Sequence, residues 1–122
     1  MAAFLKFNKF SQSLCQGLFG NLESETLKFA LTNTAPTAAT DVYFDPVTKH
    51  PPPEAANGYT TGGHAATISG SAETGGVYTL ATTTDVVITA ITGGIGPFRY
   101  VILYDDSATN DPLIGYWDYG SS

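Results

Sequence analysis

The chain has 122 residues, a net charge of −6 and only 13% charged residues, so it is the size of one domain with few solubilising groups. Seven of its eleven acidic residues follow His50, whereas Arg99 is the one basic residue there. This distribution excludes the clustered Lys and Arg of a nucleic-acid surface. Cys15 is the only cysteine, which excludes an internal disulfide framework. No apolar run approaches the roughly 18 residues of a membrane span, and the first residues do not form a signal peptide, so we expect synthesis in the cytoplasm without secretion.

Residues 1–20 are predicted to form an N-terminal helix or arm, with the helix over residues 3–20. Four apolar side chains recur at spacings of three and four and therefore lie on one helical face: Phe7, Phe10, Leu14 and Leu18. The opposite face carries mostly polar side chains: Lys6, Lys9, Ser13 and Gln16. The same stripe suits a helix that covers a sheet or an arm that docks on a neighbouring subunit.

Residues 26–34 alternate cleanly and predict a half-buried strand. One face carries Leu27, Phe29 and Leu31, and the other carries Lys28, Ala30 and Thr32. A long loop follows over residues 37–63, because three consecutive prolines and several glycines there interrupt regular structure. A loop of this length is either a contact with another subunit or a surface excursion.

Three further strands are predicted over residues 64–69, 76–83 and 85–92, separated by glycine-containing turns. The strand over 85–92 is apolar on both faces, which predicts a central position in the sheet. Residues 97–119 form a hairpin, with alternating apolar residues on both sides of a polar turn. The sequence therefore predicts a mainly β fold, a small antiparallel β-sandwich or barrel of about six strands with one short N-terminal helix or arm.

Candidate chemical groups are few and scattered. His50 and His64 have no ligand spacing that suits a metal, so we interpret them as surface or turn histidines. The turn over 105–111 places oxygen-bearing side chains at alternate positions, but it lacks the glycine and the final acidic residue of a calcium loop. Cys15 has no histidine near it in the sequence to serve as its base. We predict no catalytic residue, no cofactor and no metal.

Three sequence blocks have unusual residue combinations: TLKFALTNTAPTAATDVYFD at 26–45, GYTTGG at 58–63, and IGPFRYVILYDDSATNDPLIGYWDYGSS at 95–122. Together they resemble a family of small structural proteins encoded among the virion genes of tailed bacteriophages. The most specific parts are the motifs LKxALTNTAP and FRYxxLY followed by LIGxxDYGS. The resemblance covers most of the chain from about Phe7.

The resemblance implies a non-enzymatic virion protein, described in that family as virion structural, capsid decoration (cement) or tail-associated. We expect a capsid decoration protein on the capsid surface that contacts the major capsid protein and copies of itself, with a trimer as the expected oligomer. A tail or head–tail component is the first alternative. A module that binds carbohydrate or a host surface is the second, and exposed aromatic residues beside the turn over 105–111 would favour it.

The interface would consist of apolar and aromatic anchors within a polar rim. The candidate anchors are aromatic residues of the N-terminal arm and the hairpin: Phe4, Phe7, Tyr100, Tyr104, Tyr116, Trp117 and Tyr119. Each would be an anchor only if it faces solvent, and core packing is the alternative for each. Arg99 is expected to form an ion pair with a nearby carboxylate. The resemblance also implies a further strand after the DYGSS block, so we expect a neighbouring subunit to cover the edge of the last strand.

Overall fold

The computed structural model describes residues 3–53, 57–82 and 86–120. Within these ranges the chain forms seven strands and one α-helix, which confirms the predicted mainly β fold with a short N-terminal helix. The elements are β1 (Phe4–Lys6), α1 (Asn8–Cys15), β2 (Leu27–Thr32), β3 (His64–Ala65), β4 (Ile68–Thr74), β5 (Val77–Thr82), β6 (Tyr100–Asp105) and β7 (Leu113–Asp118). The strand predicted over 64–69 is divided between β3 and β4.

Five strands form one antiparallel sheet in the order β1-β7-β6-β2-β3, and β4 pairs with β5 in a separate two-stranded ribbon. The described strands leave the large sheet open, so they form no closed barrel. Side chains alternate between its two faces. One face carries the main core: Phe7, Ala30, Phe44, Ile102, Tyr104 and Leu113. On the other face a smaller cluster of Phe19, Leu27 and Ile114 packs against the ribbon and the segment after α1.

The first residues form a strand, so the predicted helix over 3–20 is wrong at its start and too long. β1 pairs antiparallel with β7, and Phe4 lies opposite Trp117. Gly115 makes the close approach possible, because a Cβ atom there would lie 2.2 Å from Cζ of Phe4. The edge of β7, which we expected a neighbouring subunit to cover, is therefore covered by β1 of the same chain.

The helix α1 has a different buried face from the one predicted. Phe7 just before it is fully buried and Phe10 is half-buried, as the stripe predicts, but Leu14 is 44% exposed. Ser13, predicted to lie on the polar face, is buried instead. The helix has only eight residues, so the stripe cannot continue to Leu18 on the same face.

Residues 86–92, predicted to belong to a central strand, are irregular, while residue 85 lies outside the described residues. Val87 is 75% exposed and Ile91 is 63% exposed. The central position is taken by β2 and β6, which pair with each other along their full length. Both faces of β2 are packed, because Ala30 and Thr32 are as fully buried as Leu27. Val86 and Ile88 instead line a cavity against the sheet, whereas Val87 and Ile91 face solvent.

The long loop over 37–63 is tied to the sheet rather than being a loose surface excursion, apart from residues 54–56, which lie outside the described ranges. Phe44 stacks on Tyr104, with ring centroids 4.2 Å apart. Tyr59 is buried, and its hydroxyl oxygen accepts a hydrogen bond from the Leu31 N–H at 3.0 Å. The loop therefore supplies side chains to the interior.

Candidate interaction surface

An apolar groove runs along the face of the sheet opposite the main core. Its floor consists of alternate residues of β2 and β6 together with Trp117 of β7. Three adjoining cavities make up the groove, with volumes of about 620, 250 and 280 Å³. The first two share Leu31, Val101 and Tyr119, and the last two share Phe29 and Trp117. The groove is therefore continuous and open to solvent.

The largest cavity lies at the end of the groove marked by Leu31. It is lined by Leu31, Ile95, Gly96, Pro97, Phe98, Val101 and Tyr119. These are apolar or aromatic residues without an ionisable group except the Tyr119 hydroxyl. A surface of this kind suits an apolar partner, since exposed contiguous apolar patches on soluble proteins commonly mark binding sites.

The ribbon formed by β4 and β5 crosses the other end of the groove. Ile68 and Leu80 face the sheet and pack against the cluster that contains Leu27. Beyond that contact the ribbon is exposed, and its tip presents Val77 at 64% exposure and Tyr78 at 51%. An isolated two-stranded ribbon has marginal stability in water, so contact with a partner would stabilise it.

The seven predicted anchors divide between the interior and the groove. Phe7, Tyr100 and Tyr104 are buried, and Tyr104 donates its hydroxyl proton to the Gly62 carbonyl oxygen. These three side chains do not face solvent, so they are not anchors. Tyr116 is half-buried, with its ring 5.1 Å from that of Phe7.

The other three predicted anchors lie along the groove. Phe4 is 46% exposed and Tyr119 is 55% exposed. Trp117 is half-buried between two rings, with its centroid 4.9 Å from that of Phe4 and 5.7 Å from that of Phe29. These residues form an aromatic border along the groove, whose β2 and β6 residues are aliphatic apart from Phe29.

Arg99 forms the expected ion pair. Its guanidinium donates from Nε to Oδ1 of Asp118 at 2.7 Å and from Nη2 to Oδ2 at 3.0 Å. The hydrogen bond to Arg99 holds the pKa of the Asp118 carboxyl below its usual value and raises the pKa of Arg99. The bidentate pair joins the start of β6 to the end of β7, close to Tyr119.

The interpretation of His50 as a surface or turn histidine is wrong, because the side chain is fully buried. Its Nδ1 accepts a hydrogen bond from the Asp45 N–H at 3.0 Å, so Nε2 carries the proton and donates to Oδ2 of Asp41 at 3.1 Å. Burial lowers the pKa of His50, against the opposite effect of Asp41. The ring also stacks on Phe44, with centroids 5.6 Å apart. These contacts of His50 stabilise the conformation of the long loop over 37–63.

The remaining candidate chemical groups stay apart. His64 lies elsewhere, and its Nε2 accepts a hydrogen bond from the Thr60 N–H at 3.2 Å. In the turn over 105–111, Asp105 points inward and is fully buried. Among the described residues there is no cluster of three or more His, Cys, Asp or Glu that could hold a metal ion. Cys15 is exposed on α1.

No helix within 3–53, 57–82 or 86–120 has the length and apolar character needed to cross a membrane. No family model matches the chain, and neither a curated protein nor a solved structure matches it.

Sequence reasoning missed much of the groove. Val86 and Ile88 line it, and their alternation was interpreted as one half of a central strand. Pro97 and Phe98 belong to the predicted hairpin over 97–119, and Ile95 lies in the glycine-rich stretch before it, but all three line the largest cavity. The sequence feature that could have indicated these groove residues is the concentration of apolar residues in the glycine-containing segment over 86–98.

Proposed function

We propose that the protein is a non-enzymatic structural component of a tailed-phage virion, a capsid decoration protein that contacts the major capsid protein and further copies of itself. The observation that supports this most is the continuous apolar groove together with the exposed tip of the ribbon. Both are surfaces for assembly and neither carries a reactive group. The sequence resemblance to virion structural proteins supplies the biological setting.

In this function, binding energy comes from burial of the groove. An apolar segment of the major capsid protein packs in the middle of the groove, where Trp117 and Tyr119 act as aromatic anchors. A fully buried aromatic side chain removes about 150–250 Å² from water, so two or three anchors supply much of the binding energy of a small interface. A shell strengthened in this way gains contact area at the seams between its subunits.

Contacts between copies of the protein would also be made by apolar side chains. The ribbon lies at the Leu27 end of the sheet face and the largest cavity at the Leu31 end, and these are opposite ends of β2. A ribbon tip from one copy that enters the cavity of the next makes a head-to-tail contact. Such contacts close into a ring when the rotation between copies permits it. A trimer is the ring that we propose.

Cryo-EM of virions from the phage that encodes this chain tests the proposal. We expect density that fits the described fold at the seams between major capsid subunits, in hundreds of copies. A single ring of copies at the tail or the head–tail junction would replace capsid decoration with the tail function. Virions that lack the protein altogether would overturn both.

Association through the ribbon tip is tested by replacing its exposed apolar side chains. Val77→Ser combined with Tyr78→Ser should abolish self-association in light scattering and weaken binding to capsids. The free energy of unfolding should change by no more than about 0.5 kcal/mol for each exposed site. Val47→Ser is the control, since Val47 is 81% exposed on a different part of the surface. Equal loss of association in both variants would show that the ribbon tip is not the contact.

One observation favours carbohydrate binding as a second candidate function. Tyr43 is 39% exposed and bridges to Pro112 beside the turn over 105–111. It borders a separate cavity of about 270 Å³ with Asp45 and Lys49, whose polar side chains suit hydroxyl groups. A signal on a sugar array would favour this function.

A further inference from the structure

A compact polar cluster joins the segment over 20–26 to the turn between β6 and β7. Thr26 donates its N–H to Oγ of Ser107 at 3.0 Å, and Asp106 donates its N–H to the Thr26 carbonyl oxygen at 2.8 Å. Within the segment, the Gly20 N–H donates to Oε1 of Glu25 at 2.8 Å. The two contacts of Thr26 link parts of the chain about 80 residues apart, and one of them is made to the Ser107 hydroxyl.

The hydrogen-bond geometry leaves this cluster one proton short. Oγ of Ser107 contacts Oε2 of Glu25 and lies 2.9 Å from Oδ1 of Asp105. A hydroxyl has a single proton and can donate it to only one of two carboxylates. Oδ1 of Asp105 also accepts from the N–H groups of Ser107 and Ala108, at 3.0 and 3.3 Å. The Ser107 proton can therefore serve only one of the two carboxylates, and a second proton would neutralise the other.

The burial of Asp105 makes an ionised carboxylate at this position unfavourable. Asp105 is fully buried, and its Oδ2 has no hydrogen-bond partner among the described residues. An ionised carboxylate in this position would be costly, because it lacks both water and a counter-ion. Lys28 on β2 pairs with the neighbouring Asp106 at 3.1 Å. The other charged groups of this region, Glu25 and Asp111, are acidic.

We propose that Glu25 and Asp105 share one proton around Ser107 and form an acid-stabilised clasp between the 20–26 segment and the β6–β7 turn. The proton resides on Asp105, the buried partner, and Glu25 carries the charge. When the pH rises and the proton leaves, two carboxylates face one hydroxyl and the clasp loosens. This device is independent of the proposed function, since it holds for any role of the groove.

The electrostatic effects at the two carboxyl groups agree with a protonated Asp105 and a charged Glu25. Burial raises the pKa of Asp105, and the charge of Glu25 acts in the same direction. The hydrogen bond from Ser107 lowers the pKa of Glu25. A carboxyl whose pKa is raised by folding stabilises the fold fully below its ordinary value of about 3.9, and this stabilisation is lost as the pH rises through the folded value. The clasp is therefore strongest in acid.

Thermal unfolding of three proteins between pH 4 and pH 8 tests the clasp. Asp105→Asn mimics the protonated carboxyl at every pH, so we expect its Tm to exceed that of the unmodified protein by roughly 3 °C or more at pH 8, with little difference at pH 4. Asp106→Asn removes the adjacent half-buried acid and should retain the pH dependence of the unmodified protein. His50 titrates in both proteins, so the test is the difference in Tm between Asp105→Asn and the unmodified protein; a difference of equal size at pH 4 and pH 8 would overturn the proposal.

A measurement on the unmodified protein covers the case in which Asp105→Asn fails to fold. Carbon-detected NMR of the side-chain carboxyl should show Asp105 titrating above the ordinary aspartate range. Titration within or below that range overturns the shared proton. A cation is the competing occupant, so melting is repeated with calcium. If calcium raises the Tm of the unmodified protein but not that of Asp105→Asn, a bound calcium ion replaces the shared proton as the explanation. An unchanged Tm supports the clasp.

Discussion

Phe7→Ala is expected to lower the free energy of unfolding by about 3–5 kcal/mol, the usual cost of removing a fully buried phenylalanine. Phe7 has no exposed surface and belongs to the main core of the sheet. Its ring lies 5.1 Å from that of Tyr116, and its N–H donates to the Ile114 carbonyl oxygen at 3.1 Å. The side chain therefore joins the N-terminal segment to β7, and its loss leaves a cavity at this junction. Urea denaturation measures the change.

Phe4→Ala is the matched control for Phe7→Ala, because it removes the same side chain from the same segment. Phe4 is 46% exposed and contacts Trp117 at the sheet edge, so its removal should cost about 1 kcal/mol. It should also weaken association, if the aromatic border of the groove is used for binding. Equal destabilisation by the two substitutions would contradict the assignment of Phe7 to the core and Phe4 to the surface.

His50→Ala is the second substitution for which we expect a large effect, about 2–4 kcal/mol of unfolding free energy near pH 7. It removes the donor to the buried Asp41 carboxylate and the acceptor for the Asp45 N–H. It also removes the ring that stacks on Phe44. Asp41 keeps the Thr37 N–H at 2.9 Å and Lys49 Nζ at 3.5 Å, which limits the loss. Chemical denaturation at pH 7 measures the effect.

The pH dependence gives a second test of His50. Burial lowers the pKa of His50 in the folded protein, so the unfolded chain binds a proton first as the pH falls below about 6.5. The unmodified protein should therefore lose stability on acidification through this range. His50→Gln keeps a donor for Asp41 and cannot titrate, so it should lose this component. A component of equal size in both proteins would contradict a neutral, buried His50.

Asp41 affects the free energy of unfolding at lower pH than His50 does. Burial acts to raise its pKa, but hydrogen bonds from the Thr37 N–H and from His50 outweigh this effect and hold the pKa below its usual value. Its stabilisation is therefore present above about pH 4 and is lost on further acidification. The His50 component begins below about pH 6.5 and the Asp41 component below about pH 4, and both are opposite in sign to that of the Asp105 clasp.

The sequence was sufficient to predict β2 and the hairpin of β6 and β7. In both places the alternation of side chains continues for six residues and ends at residues that favour turns. The pairing of β2 with β6 was not predictable, because period-two alternation specifies a strand but not its neighbour. The packing of β2 also depends on side chains from the long loop and on Phe7.

The two misassigned segments have different physical causes. Phe4–Lys6 could continue a helical stripe, but ladder hydrogen bonds to β7 and the space above Gly115 favour the strand. Residues 86–92 have strand-like alternation, but their Ile91 N–H donates to the Asn57 carbonyl oxygen in the long loop instead of to a strand. Local pattern was overridden by tertiary contacts in both cases.

The candidate surface was only partly accessible to sequence reasoning. The aromatic residues of the hairpin were recognised, but alternation could not tell which sheet face a loop covers. Tyr104 and Trp117 illustrate the difficulty, since one is buried beneath Phe44 and the other borders the groove. Asp41 and His50 are nine positions apart in an irregular loop, where no periodicity relates them.

The pairing of β1 with β7 has a consequence for how the protein is made. Phe4 and Trp117 are partners although roughly 110 residues separate them, so loop closure makes this contact expensive to form early. The β6–β7 hairpin needs only a short turn and can form by itself once both strands have left the ribosome. We therefore expect β1, which is synthesised well before β7, to be the last of these strands to pair, and until then both Phe7 and the outer edge of β7 are open to premature association.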